Sequence, residues 1–414
     1  MSMLRSHLEN NVLDWWGRNG ADDELGGVLT CFTNRGDLVN HEKYTWSQGR
    51  WAWTCALVAD EIDLGRVGGD SSLWRDRCAR TASFLAAHAF LPDGRTSFRL
   101  DEYGRHLADG NGECATSVFA DLFAVLGLAG AARTSAEDPG PWIDQAVRTL
   151  EQAATSIRQR TAKSAPYSVP AGFRDLAGPM TLLHVADELD RAAPGESTRR
   201  IVERAHDDLL GDGDSFLGPE HWWEFQPDVP AADDTLLARH VTPGHLLELL
   251  WMLVHIVDRS DRITVPDTLL TSLALRALET GWDRQEGGLL RYVDRGEGGR
   301  PVGRLLTTSY EALVQRTWDT KLWWVHAEAT YATALLARRT KSPELARWAR
   351  RVREYTFATF PDPDGREWIQ IRTRDGRPLD DVVALPVKDP MHITRSLLLL
   401  NALENPRTTE ETPN

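Results

Sequence analysis

Two histidines, His245 and His392, occupy the same local setting 147 residues apart. In Val241-Thr242-Pro243-Gly244-His245, a threonine able to cap, a proline suited to the first helical position and an apolar run predict a helix start, with His245 in its first turn. Lys388-Asp389-Pro390-Met391-His392 repeats the pattern. At the positive end of a helix the neutral imidazole is favoured over the imidazolium, and the neutral ring is the form a general base needs. Glu248, three residues after His245, falls on the same helical face and is expected to orient or charge-balance that ring, while Arg395 stands one turn after His392. Two such imidazoles suggest proton transfer. Gly178-Pro179-Met180-Thr181 has the same punctuation but carries no histidine.

The elements around these residues repeat. Helices are predicted to start near 44, 111, 178, 242, 319 and 389, each preceded by another starting near 3, 72, 141, 197, 266 and 343. A helix pair recurring every 64 to 77 residues is the mark of a repeat architecture, and six pairs account for all 414 residues. The later member of each pair holds more of the tryptophans and polar outliers, which assigns it to an inner ring. Six inner and six outer helices closing on themselves make an all-α (α/α)6 barrel, one domain spanning 1–414 with short hairpins at 26–37, 281–294 and 367–376. In a closed ring the inner N-termini meet at one mouth. Arg50, Asn111, Met180, His245, Trp323 and His392 then become neighbours around an aromatic-rich pocket.

Composition narrows the chemistry. A formal charge of -14 leaves no basic stripe for nucleic acid or an anionic membrane. No run of 18 apolar residues and no apolar signal core occur, so a cytoplasmic protein is expected. Cys31, Cys55, Cys78 and Cys114 form no CxxC pair and signal neither a zinc site nor a disulfide framework. No ligand cluster with metal spacing and no phosphate-cradling glycine loop stands out, so no cofactor is expected. Sixteen tryptophans, including the pairs Trp15-Trp16, Trp222-Trp223 and Trp323-Trp324, are assigned mostly to the core, with some free to stack on the apolar face of a sugar.

Four ordered stretches carry a resemblance: Lys43-Tyr44-Thr45-Trp46-Ser47-Gln48-Gly49-Arg50, Pro243-Gly244-His245-Leu246-Leu247-Glu248, Trp323-Trp324-Val325-His326-Ala327-Glu328 and Met391-His392-Ile393-Thr394-Arg395. Together they resemble the signature stretches of the N-acylglucosamine 2-epimerase family, whose relatives include cellobiose 2-epimerases and mannose isomerases. The resemblance covers nearly the full length and implies an (α/α)6 barrel that interconverts sugars at C2, or between C2 and C1, through an enediolate. It implies that His245 and His392 are the acid/base pair, that Glu248 and Glu328 tune them, and that Arg50 binds the sugar. It further implies that Trp323 lines the sugar site, with Trp46 and Arg395 inside the matching motifs, and that the protein is a homodimer. The chain departs from the mannose isomerases and cellobiose epimerases at the third inner helix, where Pro179-Met180 replaces an extra histidine. His184, a turn further in, reads as packing.

Other chemistries fit parts of the same sequence. Aldose-ketose isomerisation would use one histidine to carry the proton from C2 to C1. A glycoside hydrolase on the same fold would need two carboxylates, with Asp101 or Glu102 facing Glu220 or Glu224. A helical-repeat interaction module would need no pocket. Loops 91–110 and 211–234 are candidates for a lid over the mouth, offering Tyr103, His106, His221 and Trp222 as sugar contacts. His41, His88, His206, His255 and His326 are assigned to structure.

Overall fold

A computed structural model describes residues 2–135, 138–380 and 386–406. Six helices form the inner ring: Thr45–Asp63, Val118–Thr134, Ala177–Ala192, Pro243–Arg259, Trp323–Thr340 and Met391–Glu404. Each packs on the next, and the sixth packs back on the first, so the ring closes. Outside it lie Ser71–His88, Gly140–Arg158, Glu196–Leu210, Asp267–Gly281 and Pro343–Thr359. The sixth outer element is Met3–His7, which continues through π-helical turns at Leu8–Leu13 and Trp16–Gly20. This is the (α/α)6 arrangement predicted from the repeat.

The two rings differ as their environments require. The second inner helix is buried at every position from Ala120 to Ala131, because neighbours and an outer helix cover all its sides. Outer helices bury one stripe only; Glu196–Leu210 buries Thr198, Ile201, Val202, Ala205 and Leu209 and turns its charges to water. The first two inner helices cross where Gly49 lies against the backbone of Phe123. A Cβ added at Gly49 would stand 1.8 Å from the Phe123 carbonyl oxygen. Gly49→Ala is therefore expected to force the helices apart and cost about 1–3 kcal/mol or more, read as a lowered midpoint in urea unfolding.

One predicted start is corrected. The second inner helix begins at Val118 and not near Asn111. Asp109 Oδ1 accepts hydrogen bonds from the backbone N–H groups of Asn111 and Glu113, and Gly112 takes φ +80°, so these residues close a tight turn. The chain then runs extended to Val118, whose N–H donates to Lys163 O.

The predicted local hairpins give way to longer-range pairing. Two- or three-residue strands that lead into the inner helices pair with loops further along the chain: Lys43–Tyr44 with Arg99–Leu100, Phe173–Asp175 with Phe225–Pro227, His240–Val241 with Val293–Asp294, and Lys321–Leu322 with Ile371–Arg372. Within the predicted hairpins themselves only isolated bridges form, such as Phe32↔Leu38 and Trp282↔Leu289. The pairings tie the entries of four of the six inner helices to the rim loops, so residues at the mouth there sit on braced backbone. No helix is long and apolar enough to cross a membrane among the described residues.

Candidate active site

The inner N-termini surround a cavity of about 300 Å³, a size suited to a small ligand. Every inner helix contributes: Trp46 and Arg50 from the first, Phe119 and Phe123 from the second, Met180 and His184 from the third, His245 and Glu248 from the fourth, Trp323 and Trp324 from the fifth, His392 and Arg395 from the sixth.

Both imidazoles lie against one indole. Trp324's ring centroid is 5.1 Å from that of His245 and 5.6 Å from that of His392. Each ring is held at Nδ1 by a buried carboxylate. His245 Nδ1 lies 2.7 Å from Glu224 Oε1, and the other Glu224 oxygen accepts the N–H of Thr242. His392 Nδ1 lies 2.9 Å from Glu328 Oε1. An ionised carboxylate can only accept, so Nδ1 carries the proton in both rings and the Nε2 lone pair is left free. Among the described residues no hydrogen-bond partner occupies either Nε2. Both rings line the cavity. The arrangement presents two bases to one small space.

The electrostatics support these assignments. Burial works against ionisation of Glu328, yet the charge of Arg395 and the contact with His392 bring it down to about 2. Burial also opposes ionisation of Glu224, and the charge and hydrogen bond of His245 more than offset it. For His245 burial would lower the pKa, but Glu224 raises it above the ordinary histidine value. A base must be neutral, so kcat/KM is expected to fall as pH drops through that raised value. Glu224→Gln removes the raising charge, and the acid limb of the pH profile should move to lower pH while the maximum drops. An unmoved limb would show that His245 is not the group titrating.

Beneath His392 lies a buried ionic cluster. Arg395 donates from one nitrogen to Glu248 Oε1 at 2.6 Å and to Glu328 Oε1 at 2.5 Å; Glu328 also accepts the Trp251 indole N–H at 2.7 Å. Ligand atoms of Glu248, Glu328 and His392 lie within 4.8 Å of one another, a spacing that suits a cation. The sequence hid this spacing because the three come from three helices. The cation set among them is the Arg395 guanidinium, fully buried. At the start of the same helix, Asp389 Oδ2 accepts a hydrogen bond from Arg50 at 2.7 Å, and Arg50 lies over the rings of Phe123 and Trp46. Asp389 Oδ1 caps the sixth inner helix through the N–H groups of Met391 and His392.

The profile of the family described as N-acylglucosamine 2-epimerase (GlcNAc 2-epimerase) matches residues 26–393. The chain belongs to the N-acylglucosamine 2-epimerase family. The human N-acylglucosamine 2-epimerase is 27% identical over 94% of this chain and 87% of that enzyme. Among solved structures, a D-mannose isomerase superposes with a TM-score of 0.74 at 16% identity, covering 96% of this chain and 97% of that one. The cellobiose 2-epimerase from Bacillus thermoamylovorans gives 0.72 at 16%, with coverage of 96% and 97%. At that identity the two structures speak for the shared barrel alone.

In this member of the N-acylglucosamine 2-epimerase family, His245, His392, Glu248, Glu328, Arg50, Trp46, Trp323, Met180 and Arg395 are brought together at or just beneath the cavity. Asn111 and Tyr103 are not: both are exposed on loops outside it, Asn111 in the turn described above and Tyr103 next to Asp101, whose carboxylate takes its N–H. Glu248 does not hold His245. One turn deeper on the helix, it meets Arg395, and Glu224 reaches across the rim to take the histidine instead. The lid candidates also fall away: His106 binds His88 O, His221 binds Ser215 O, and Trp222 is core. His184, packed edge-on between Trp53 and Trp251, is held at about 3 by burial and so is neutral.

Sequence reasoning missed Trp324, Asp389 as the partner of Arg50, the wall formed by Ala165, Pro166 and Tyr167, and Glu224 as the partner of His245. Glu224 lies in a turn-rich segment where no helical period points to a partner. Its cue is the pairing of Phe225–Pro227 with Phe173–Asp175, a contact made 50 residues apart. Phe119 and Phe123, spaced by one helical turn, did carry a readable signal.

Proposed function

We propose that this protein is a sugar 2-epimerase that inverts C2 of an aldose of the glucose/mannose or N-acylhexosamine type through an enediolate. The observation that carries this reading is the pair of imidazoles against Trp324, each held at Nδ1 by a buried carboxylate with Nε2 free toward one cavity. Family membership supports the same chemistry, which is that of an isomerase.

In the open-chain sugar, the neutral Nε2 of one histidine takes the proton from C2 and becomes imidazolium, stabilised by its carboxylate. The electron pair left at C2 moves into the C1–C2 bond, and the charge collects on the C1 oxygen. Arg50, fixed by Asp389 and by the Phe123 face, supplies positive charge on the cavity wall for that oxygen. The second histidine, entering as imidazolium, returns a proton to the opposite face of C2. The carbonyl reforms, and the two histidines have exchanged protonation states, ready for the reverse turnover.

The hydrolase alternative loses its geometry. Of the carboxylates that reading named, Asp101 accepts the backbone N–H groups of its own loop, Glu220 is exposed, and Glu224 is engaged by His245, so the proposed pair does not form. Aldose-ketose isomerisation is the reading that a product assay separates. Glucose, mannose, N-acetylglucosamine, N-acetylmannosamine and fructose incubated singly with the enzyme and resolved by chromatography should give the C2 epimer of one aldose. A ketose as the main product would replace the epimerase reading with an isomerase.

A further inference from the structure

Four carboxylates line the cavity: Asp175, Glu224, Glu248 and Asp389. Three are committed, Glu224 to His245, Glu248 to Arg395 and Asp389 to Arg50. Asp175 is different. Among the described residues it makes no ion pair, although it sits half-buried in the cavity wall. An unpaired carboxylate in such a place is costly unless something donates to it.

The backbone holds Asp175 firmly. It ends the strand Phe173–Asp175, directly opposite Phe225 and therefore beside Glu224; the N–H of the next residue, Leu176, donates to Glu224 O at 2.9 Å. A Cβ at Gly178 would lie 3.3 Å from its Oδ1, so the carboxyl rests against the start of the third inner helix. Ala165, Pro166, Val169, Ala177 and Met180 line the same cavity. Burial pushes the carboxyl up to about 6, with backbone N–H groups and the charge of His245 moderating the shift and the charge of Glu224 adding to it. A sugar hydroxyl is a further donor, one that would offset the repulsion from Glu224.

We propose that Asp175 accepts a hydrogen bond from a hydroxyl of the bound sugar, and so determines which hydroxyl pattern the site admits. The proposal rests on the epimerase reading. It makes the third inner helix, where Met180 offers no polar group, contribute its selectivity through the strand that leads into it. The competing role is structural, a carboxylate that steadies the helix start.

The test compares the full-length wild type with Asp175→Asn and Asp175→Ser, which keep a small polar acceptor at the helix start. Solvent deuterium entry at C2 is followed by NMR on mannose, glucose and their N-acetylamino counterparts, then on the 3-, 4- and 6-deoxy forms of the best substrate. The wild type should lose roughly 10- to 100-fold in kcat/KM on one deoxy sugar, the effect of a hydrogen bond to a charged group. The variants should lose a similar factor on the parent sugar and show no further loss on that deoxy form. Undiminished discrimination between parent and deoxy sugars in folded variants would overturn the proposal. Failure of both variants to fold, seen by circular dichroism, would assign Asp175 to the helix start instead. A wild type that exchanges C2 of no sugar would sink the epimerase reading and this one with it, an outcome distinct from the other two.

Discussion

His392→Ala is expected to reduce kcat for epimerisation by about 10²–10⁴-fold, the usual worth of a positioned general acid or base, with a much smaller change in KM. The same holds for His245→Ala. The reason is geometric: each ring is fixed by its own carboxylate, at 2.9 and 2.7 Å, and no other group lining the cavity has a free imidazole nitrogen facing it. His184, the third histidine there, is kept neutral by burial and its Nε2 is enclosed. The two variants should also differ from each other in kind. With one imidazole left, deuterium still enters C2 of one epimer from solvent while the other epimer fails to form. Steady-state kinetics with NMR detection of exchange reads both effects. Full activity in either variant would remove that histidine from the mechanism.

Arg395→Ala is expected to cost about 3–5 kcal/mol of stability, because removing one member of a buried ionic cluster leaves its partners uncompensated. Glu248 and Glu328 are nearly or wholly enclosed, and both place an oxygen on the same Arg395 nitrogen. Without the guanidinium, Glu328 would lose the main charge that keeps it ionised and would protonate more readily, so the acceptor at His392 Nδ1 would weaken as well. Urea unfolding followed by tryptophan fluorescence reads the stability, and the epimerisation rate reads the effect on His392. Replacing all three ionic residues by apolar ones of similar volume should restore much of the stability without restoring the rate. Equal midpoints for Arg395→Ala and the wild type would show that the cluster is not holding the inner ring.

The barrel was readable because its signal is periodic and covalently ordered. Proline-punctuated helix starts at Pro243 and Pro390 set His245 and His392 at equivalent positions, and closure of the ring brings such positions to one mouth. The second inner helix shows where that logic fails: Asn111-Gly112 looks like a helix entrance, but an Asp109 turn uses its N–H groups first. Glu248 acts on His245 through its charge and gives its hydrogen bond to Arg395, since spacing along a helix states which face a residue shares and not how deep it lies. The partners that decide the site's charge come from elsewhere in the chain. Glu224 arrives from a loop, Arg395 from the sixth helix to meet the fourth and fifth, and Asp389 reaches Arg50 across 339 residues. No local pattern encodes such meetings. Only the ring's geometry makes them.

In the proposed mechanism two imidazoles serve opposite faces of one carbon. Epimerisation in heavy water, stopped early and analysed by NMR, tests it most directly. The product epimer should carry deuterium at C2, drawn from a solvent-exchanged imidazolium, while the substrate still present keeps its own C2 hydrogen. A product that retains the substrate's hydrogen at C2, or carries it to C1 of a ketose, would contradict it.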